Sequence, residues 1–225
     1  MGLRSALSAL ALREIRLGWG AGGGAFLPAA FFAGAVAVAP FAVGPDPARL
    51  GAIGPGYLWL ALALATLVSL ERLFQADLED GTADQLLLTG VPLPLAVAAK
   101  VAGQWVSVAL PLLLVVPVAA ILVRVEPGKT LLLAAQLAVG SLALFQIGAI
   151  GAALGAGIKR GGLLVSLVAL PLYVPVLIFG AASAEALMRD GTVFSQPFLF
   201  VCALATAAIA LAPIAAAASL RLHID

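Results

Sequence analysis

Three groups of residues in this 225-residue chain have types and spacing that could do chemistry. The first is acidic. Glu71, Asp77, Glu79, Asp80 and Asp84 crowd into residues 71–94, where Arg72 is the sole cation and Gln85 adds an amide. Leu73, Phe74, Leu78 and the run Leu86-Leu87-Leu88 lie between those charges. A solvated turn has no need of them, so the mixture predicts docking against a partner with a basic groove. The second group is Pro171, Tyr173 and Pro175. Prolines one turn apart each remove a helix hydrogen bond, which predicts a kink or local unwinding. Such a site is either a hinge or cavity wall with Tyr173 presenting its hydroxyl, or a static bend that improves packing. The third group is Gln104, Gln136 and Gln146, the most polar side chains at depth in the apolar stretches, Lys100 lying near the inner end of its own. Interhelical hydrogen bonding accounts for them at least as well as substrate contact.

The elements that must hold these groups follow from composition. The chain is 63% hydrophobic and 10% charged, against about a quarter charged in soluble domains. Apolar runs over about 24–43, 55–70, 95–123, 130–157, 163–184 and 197–218 lie between the charges, and about 20 residues cross a bilayer as a helix. The expected fold is an all-α integral membrane protein with about six transmembrane helices. Placing the N-terminus inside puts Arg4, Arg13, Arg16, Arg72, Lys100, Lys159, Arg160 and Arg221 on the inner side, and only Arg49, Arg124, Lys129 and Arg189 on the outer. That bias favours an N-in, C-in topology and makes 71–94 cytoplasmic. Trp19, Trp105, Tyr57 and Trp59 fall near the expected span ends, as in an aromatic belt. The basic region before the first run is too long, and the run itself too long, for a cleaved signal peptide.

Residues 3–17 place Leu3, Leu7, Leu10 and Leu17 at helical spacing, which predicts an amphipathic helix along the inner surface, with Glu14 interrupting its stripe. Gly18, Gly20, Gly22, Gly23 and Gly24 follow no strand and read as a flexible joint. Within 71–94 the expectation is a short helix, a break at Gly81, a second helix from Thr82 or Asp84, and a stop at Pro92. Gly148, Gly151 and Gly155 are read as a packing stripe.

Much chemistry is excluded. Gly128-Lys129-Thr130 ends like a phosphate-binding loop, but Val123 stands where that motif needs glycine. The apolar runs hold no His, Asp or Glu, which removes intramembrane proteolysis and the usual proton-coupled carrier. The one cysteine, Cys202, leaves no internal disulfide and no CxxC site. Haem iron takes His, Met, Cys or Tyr, and His223 is on the tail. No metal site is expected, and the near-neutral charge of +1 gives no reason to expect nucleic acid. Energy must come from elsewhere, so the chain reads as a non-catalytic subunit.

The acidic segment also carries a resemblance. Leu70-Glu71-Arg72-Leu73-Phe74, Asp77-Leu78-Glu79-Asp80-Gly81, Gln85-Leu86, Pro92-Leu93-Pro94 and Ala99-Lys100 resemble the haem exporter protein B family (CcmB). So do Gly44-Pro45-Asp46-Pro47, Pro55-Gly56, Lys159-Arg160-Gly161-Gly162, the stretch Leu170 to Gly180, and Ala217-Ala218-Ser219-Leu220-Arg221. The blocks run in order over nearly the whole chain. The resemblance implies a multi-pass protein of the bacterial inner membrane with an ABC-2 exporter-like bundle, working in cytochrome c biogenesis. It implies pairing with a CcmA-like ABC ATPase that holds ATP and Mg, as two copies of each. It also implies CcmC- and CcmD-like membrane subunits that hold haem, and a CcmE-like periplasmic chaperone whose haem-loaded form ATP hydrolysis releases. One departure matters: Gln104 precedes Trp105 where the family often has histidine, so a ligand role for that position does not apply here.

On this reading 71–89 is a coupling helix, with Asp77, Glu79, Asp80 and Asp84 making charge contacts to the ATPase. The rival readings are an exporter subunit that carries a hydrophobic substrate in a cavity along the third and fifth spans, a secondary carrier, and a structural anchor.

Overall fold

The computed structural model describes residues 2–20, 24–44, 46–71, 73–79, 81–82, 90–158 and 161–224. Among these are eight α-helices and no strand: α1 (Leu3–Trp19), α2 (Phe26–Val43), α3 (Pro47–Leu70), α4 (Gln75–Glu79), α5 (Leu93–Leu122), α6 (Pro127–Gly155), α7 (Gly161–Asp190) and α8 (Gln196–Ile224). Six of them, α2, α3 and α5 to α8, are long and apolar enough to cross a membrane. The longest have 30 residues, which at a rise of about 1.5 Å per residue exceeds a hydrocarbon core of about 30 Å. Their ends therefore project beyond the hydrocarbon core.

Proline sets several starts. Pro47 and Pro127 occupy the first turns of α3 and α6, where the missing N–H costs nothing. The Asp46 carboxylate caps α3 by accepting from the Ala48 backbone N–H at 3.0 Å. The second span thus begins well before residue 55, and Pro55 lies inside its helix. Pro92 likewise caps the start of α5; it does not merely end the polar segment.

Helix α6 is the hub. Its most apolar window is 67% buried, the highest share of the six, and it packs on α3, α5, α7 and α8. Small residues allow this. Gly140 lies under the Trp59 ring of α3, Gly148 under Leu70 and Tyr173, and Gly151 and Gly155 face the backbone of Val165 and Gly161 on α7. Trp59 is fully buried between Gly140 and Gly180, so it belongs to the core and not to an aromatic belt. The early start of α3 moves it to mid-helix, which is why span boundaries alone misplaced it.

Two apolar clusters form the core. The larger gathers Phe32, Val36, Leu58, Trp59, Leu62, Leu112, Val116, Leu133, Leu137 and Tyr173. The second lies at the end where α3 finishes and α5 begins, and joins Leu70, Leu73, Phe74, Leu93, Val97, Phe145, Val165 and Leu220. Against that end packs α1. Gly103 of α5 accepts Ala11 and Glu14 at close range, Gly18 meets Ser107, and the Trp19 indole donates to the Ser107 carbonyl at 3.2 Å. The two helices run in the same direction, and α1 is a docked element of the bundle. Gly18 is consequently a packing residue within α1, while Gly22 and Gly23 lie outside the described residues.

Candidate functional site

The charged residues of α1, α4 and α5 converge on a closed ring of alternating sign. The Lys100 Nζ of α5 stands 2.8 Å from Glu14 Oε1 of α1 and 2.8 Å from Asp77 Oδ2 of α4. The ring closes through Arg13, whose Nη1 lies 3.2 Å from Glu14 Oε1 and 3.3 Å from Asp77 Oδ1. Side-chain exposure is 8% for Glu14, 11% for Lys100, 15% for Asp77 and 37% for Arg13. Two cations and two carboxylates cancel, so burial here leaves no net charge.

Below the ring is a cavity of about 40 Å³ between Leu10, Phe74, Leu78, Thr82, Leu93 and Leu220. That is room for a water or two and far from room for a porphyrin.

Helix α4 has five residues, too few to persist unaided. Leu73 and Phe74 anchor it, and they are 4% and 3% exposed within the second cluster. This corrects the expectation that both present an apolar docking surface: they face their own bundle. Asp77 is likewise turned inward onto Lys100 and Arg13. The Glu71 carboxylate lies against Gly162 in the first turn of α7, where a negative charge suits the helix dipole. Arg72, Asp80, Asp84, Gln85, Leu86, Leu87 and Leu88, and the side chain of Glu79, lie outside the described residues.

The other sequence candidates separate. Gln136, fully buried, donates from Nε2 to the carbonyls of Ser183 at 3.4 Å and Val193 at 3.3 Å, which ties α6 to α7 and the α7–α8 turn. Gln104 Nε2 donates to the Ser69 carbonyl at 3.4 Å. Gln146 keeps a buried Oε1 without a hydrogen-bond partner among the described residues. Helix α7 runs unbroken through Pro171 and Pro175, so no unwinding is present, and both prolines lie on its exposed side. Tyr173 is fully buried, and its hydroxyl meets Gly148 with no hydrogen-bond partner among the described residues. The lysine of the false phosphate-binding loop, Lys129, donates to the Met188 carbonyl at 2.7 Å and pairs with Glu126 at 2.9 Å. It clamps the far end of the bundle.

Sequence reasoning missed the ring, although two signals pointed to it. Lys100 is a lone cation in a long apolar run, and Glu14 a lone anion in a leucine stripe. Each is costly unless paired.

Comparison with known proteins decides the family. The family described as CcmB protein matches residues 5–223. This chain belongs to the CcmB family. The Heme exporter protein B of Bradyrhizobium diazoefficiens is 45% identical over 221 residues, covering 98% of this chain and all of the relative. That of Paracoccus denitrificans is 43% identical over 97% of this chain and all of the relative. The Escherichia coli K12 protein of the same name is 38% identical over 88% of this chain and 90% of the relative. The family and the six long apolar helices together make this a multi-pass membrane component of a haem-export type of system.

Proposed function

We propose that the chain is the membrane permease subunit of an ABC-type complex in cytochrome c biogenesis, in the bacterial inner membrane with both termini inside. ATP hydrolysis by a separate CcmA-like subunit drives it, and the work releases a haem-loaded CcmE-like chaperone. Haem is held by CcmC- and CcmD-like partners, and the permease works as a homodimer. The observation that carries this reading is the seating of α4. A five-residue helix projects from the end where α3 finishes and α5 begins, held by Leu73, Phe74 and Asp77, at the head of the acidic segment. A short helix fixed between two long ones is a lever on which an ATPase can push.

Because Asp77 is used internally, the docking charges are Glu79, Asp80 and Asp84, with Arg72 and Gln85 beside them. The test is a triple variant, Glu79→Gln with Asp80→Asn and Asp84→Asn, purified from membranes in mild detergent. It is expected to insert normally, to lose co-purifying ATPase, and to stop ATP-dependent chaperone release. Release at the wild-type rate would remove the segment from coupling. A wild-type chain that elutes alone, with no ATPase bound when one is supplied, would overturn the permease reading.

A second reading, in which this subunit carries haem itself, has one observation in its favour. An open groove of about 710 Å³ between α3 and α7 is lined by Glu185, Met188 and Arg189, groups able to meet iron and propionates. Against it, α3 and α6 each pack on both α5 and α7, which speaks against a passage walled by those two helices alone. Haem absorbance that follows the purified chain and is lost in Met188→Leu would favour this reading.

A further inference from the structure

We propose that Lys100 is a positioning residue that makes α1, α4 and α5 move as one body, so that force on the polar segment reaches the bundle through its ammonium group. The inference rests on the reading of that segment as the ATPase seat, and adds a path of transmission to it.

Position and geometry argue for Lys100. It is the only ring member on a long membrane helix, and it makes the two shortest contacts, 2.8 Å each, to carboxylates on two different elements. The Arg13 contacts are longer, at 3.2 and 3.3 Å, and Arg13 is the most exposed of the four. Backbone packing ties α1 to the same stretch of α5, since Gly103 receives Ala11 and Glu14 at contact distance.

Energetics set the direction of the response. If α4 moves alone, Asp77 leaves both Lys100 and Arg13, and Lys100 keeps only Glu14, so two largely desolvated charges lose pairing. Breaking one side of a buried pair is far more costly than shifting the pair as a unit. Displacement of α4 is therefore transferred to α5 and, through Glu14, to α1. The hydrophobic anchors Leu73 and Phe74 set where α4 sits, but apolar contacts are non-directional and permit sliding. The ion pairs supply the directional restraint.

The test uses the full-length chain in two settings. Alone in nanodiscs, Lys100→Met should raise amide hydrogen exchange over residues 75–79 by about tenfold or more. In the complex, the same variant should still co-purify with the ATPase and still hydrolyse ATP, while chaperone release per ATP falls about tenfold. Arg13→Gln should stay within about threefold of wild type in both assays. Lys100→Arg keeps a cation between Glu14 and Asp77 and should recover most of the loss, which separates a charge role from a folding defect. Unchanged exchange over 75–79 in Lys100→Met overturns the proposal, as does faster exchange with normal release. Lys100→Arg no better than Lys100→Met also overturns it. Wild-type chain that captures no ATPase refutes the segment reading, and the coupling role with it, even where exchange still responds to Lys100→Met.

Discussion

The indole N–H of Trp19 donates to the carbonyl of Ser107, and that carbonyl is the one Pro111 leaves without its helical donor. Proline at position 111 has no N–H to offer four residues back, so α5 would carry an open acceptor at Ser107. Helix α1 supplies the missing donor from outside. Membrane helices tolerate proline because neighbours re-satisfy freed backbone groups in this way. Trp19→Phe keeps the ring and removes the donor. It should cost about 1 kcal/mol of stability in detergent unfolding. In a Pro111→Ala background, residue 111 regains an N–H, and the same Trp19→Phe change should cost much less. Equal costs in the two backgrounds would mean that the bond is incidental.

Glycines separate into packing sites and open ones. A methyl group at Gly140 points into the Trp59 ring, and one at Gly180 meets the same ring from α7. Alanine is otherwise the better helix former by about 1 kcal/mol. At Gly140 the clash outweighs that gain, so Gly140→Ala should destabilise by about 1–3 kcal/mol. Gly34 of α2 has open space around it, and Gly34→Ala should be neutral or mildly stabilising. Thermal melts of the two variants in the same detergent make the comparison. A tolerated Gly140→Ala would show that Trp59 can shift.

Periodicity and charge spacing carry the helices well and their neighbours poorly. Each apolar run is visible because the bilayer demands a continuous stretch, and the polar segment stands out because it breaks one. Ends are harder: Pro55 looked like a start, whereas Asp46 and Pro47 form the cap that sets α3. That shift alone carried Trp59 from a belt into the core. The inward turn of Leu73, Phe74 and Asp77 was not legible, because a leucine beside an aspartate reads the same whether it meets a partner or its own bundle. What settles it is Lys100, which lies well over an apolar stretch and must find its counter-charges among residues remote in sequence. Glu14 is 86 positions away, a separation that local pattern does not reach.

The turn after α5 has an unusual residue at its pivot. Arg124 has φ of 60°, in the left-handed region, and is the only non-glycine with positive φ among the described residues. The Val125 N–H bonds the Ala120 carbonyl at 2.9 Å and the Arg124 N–H bonds that of Ile121 at 3.2 Å, a Schellman closure. Glycine is the residue that adopts this conformation without strain. Arg124→Gly should therefore stabilise the chain by about 1 kcal/mol, raising the melting midpoint with no change in helix content. A lower midpoint would mean that the arginine side chain contributes more than its backbone costs.

The far end of the bundle depends on Gln136. Its amide reaches the carbonyls of Ser183 and Val193, and Ser183 Oγ lies 3.5 Å from Gln136 Oε1. The distances are long, so each bond is modest, but the site is fully buried and water is not at hand to replace them. Gln136→Leu preserves volume and removes both donors. Interhelical hydrogen bonds in membranes contribute about 1 kcal/mol, and a loss of that size is expected in detergent unfolding. The local signature is more telling: amide exchange should rise over 191–195, the turn that Val193 anchors, and stay unchanged over 75–79 at the opposite end. Gln136→Glu should be worse than Gln136→Leu, because it adds a buried carboxylate facing two carbonyl oxygens and has no amide to offer them. If Gln136→Leu leaves exchange over 191–195 as it was, the turn is held by the packing of Phe198 and Leu187 and the glutamine is dispensable.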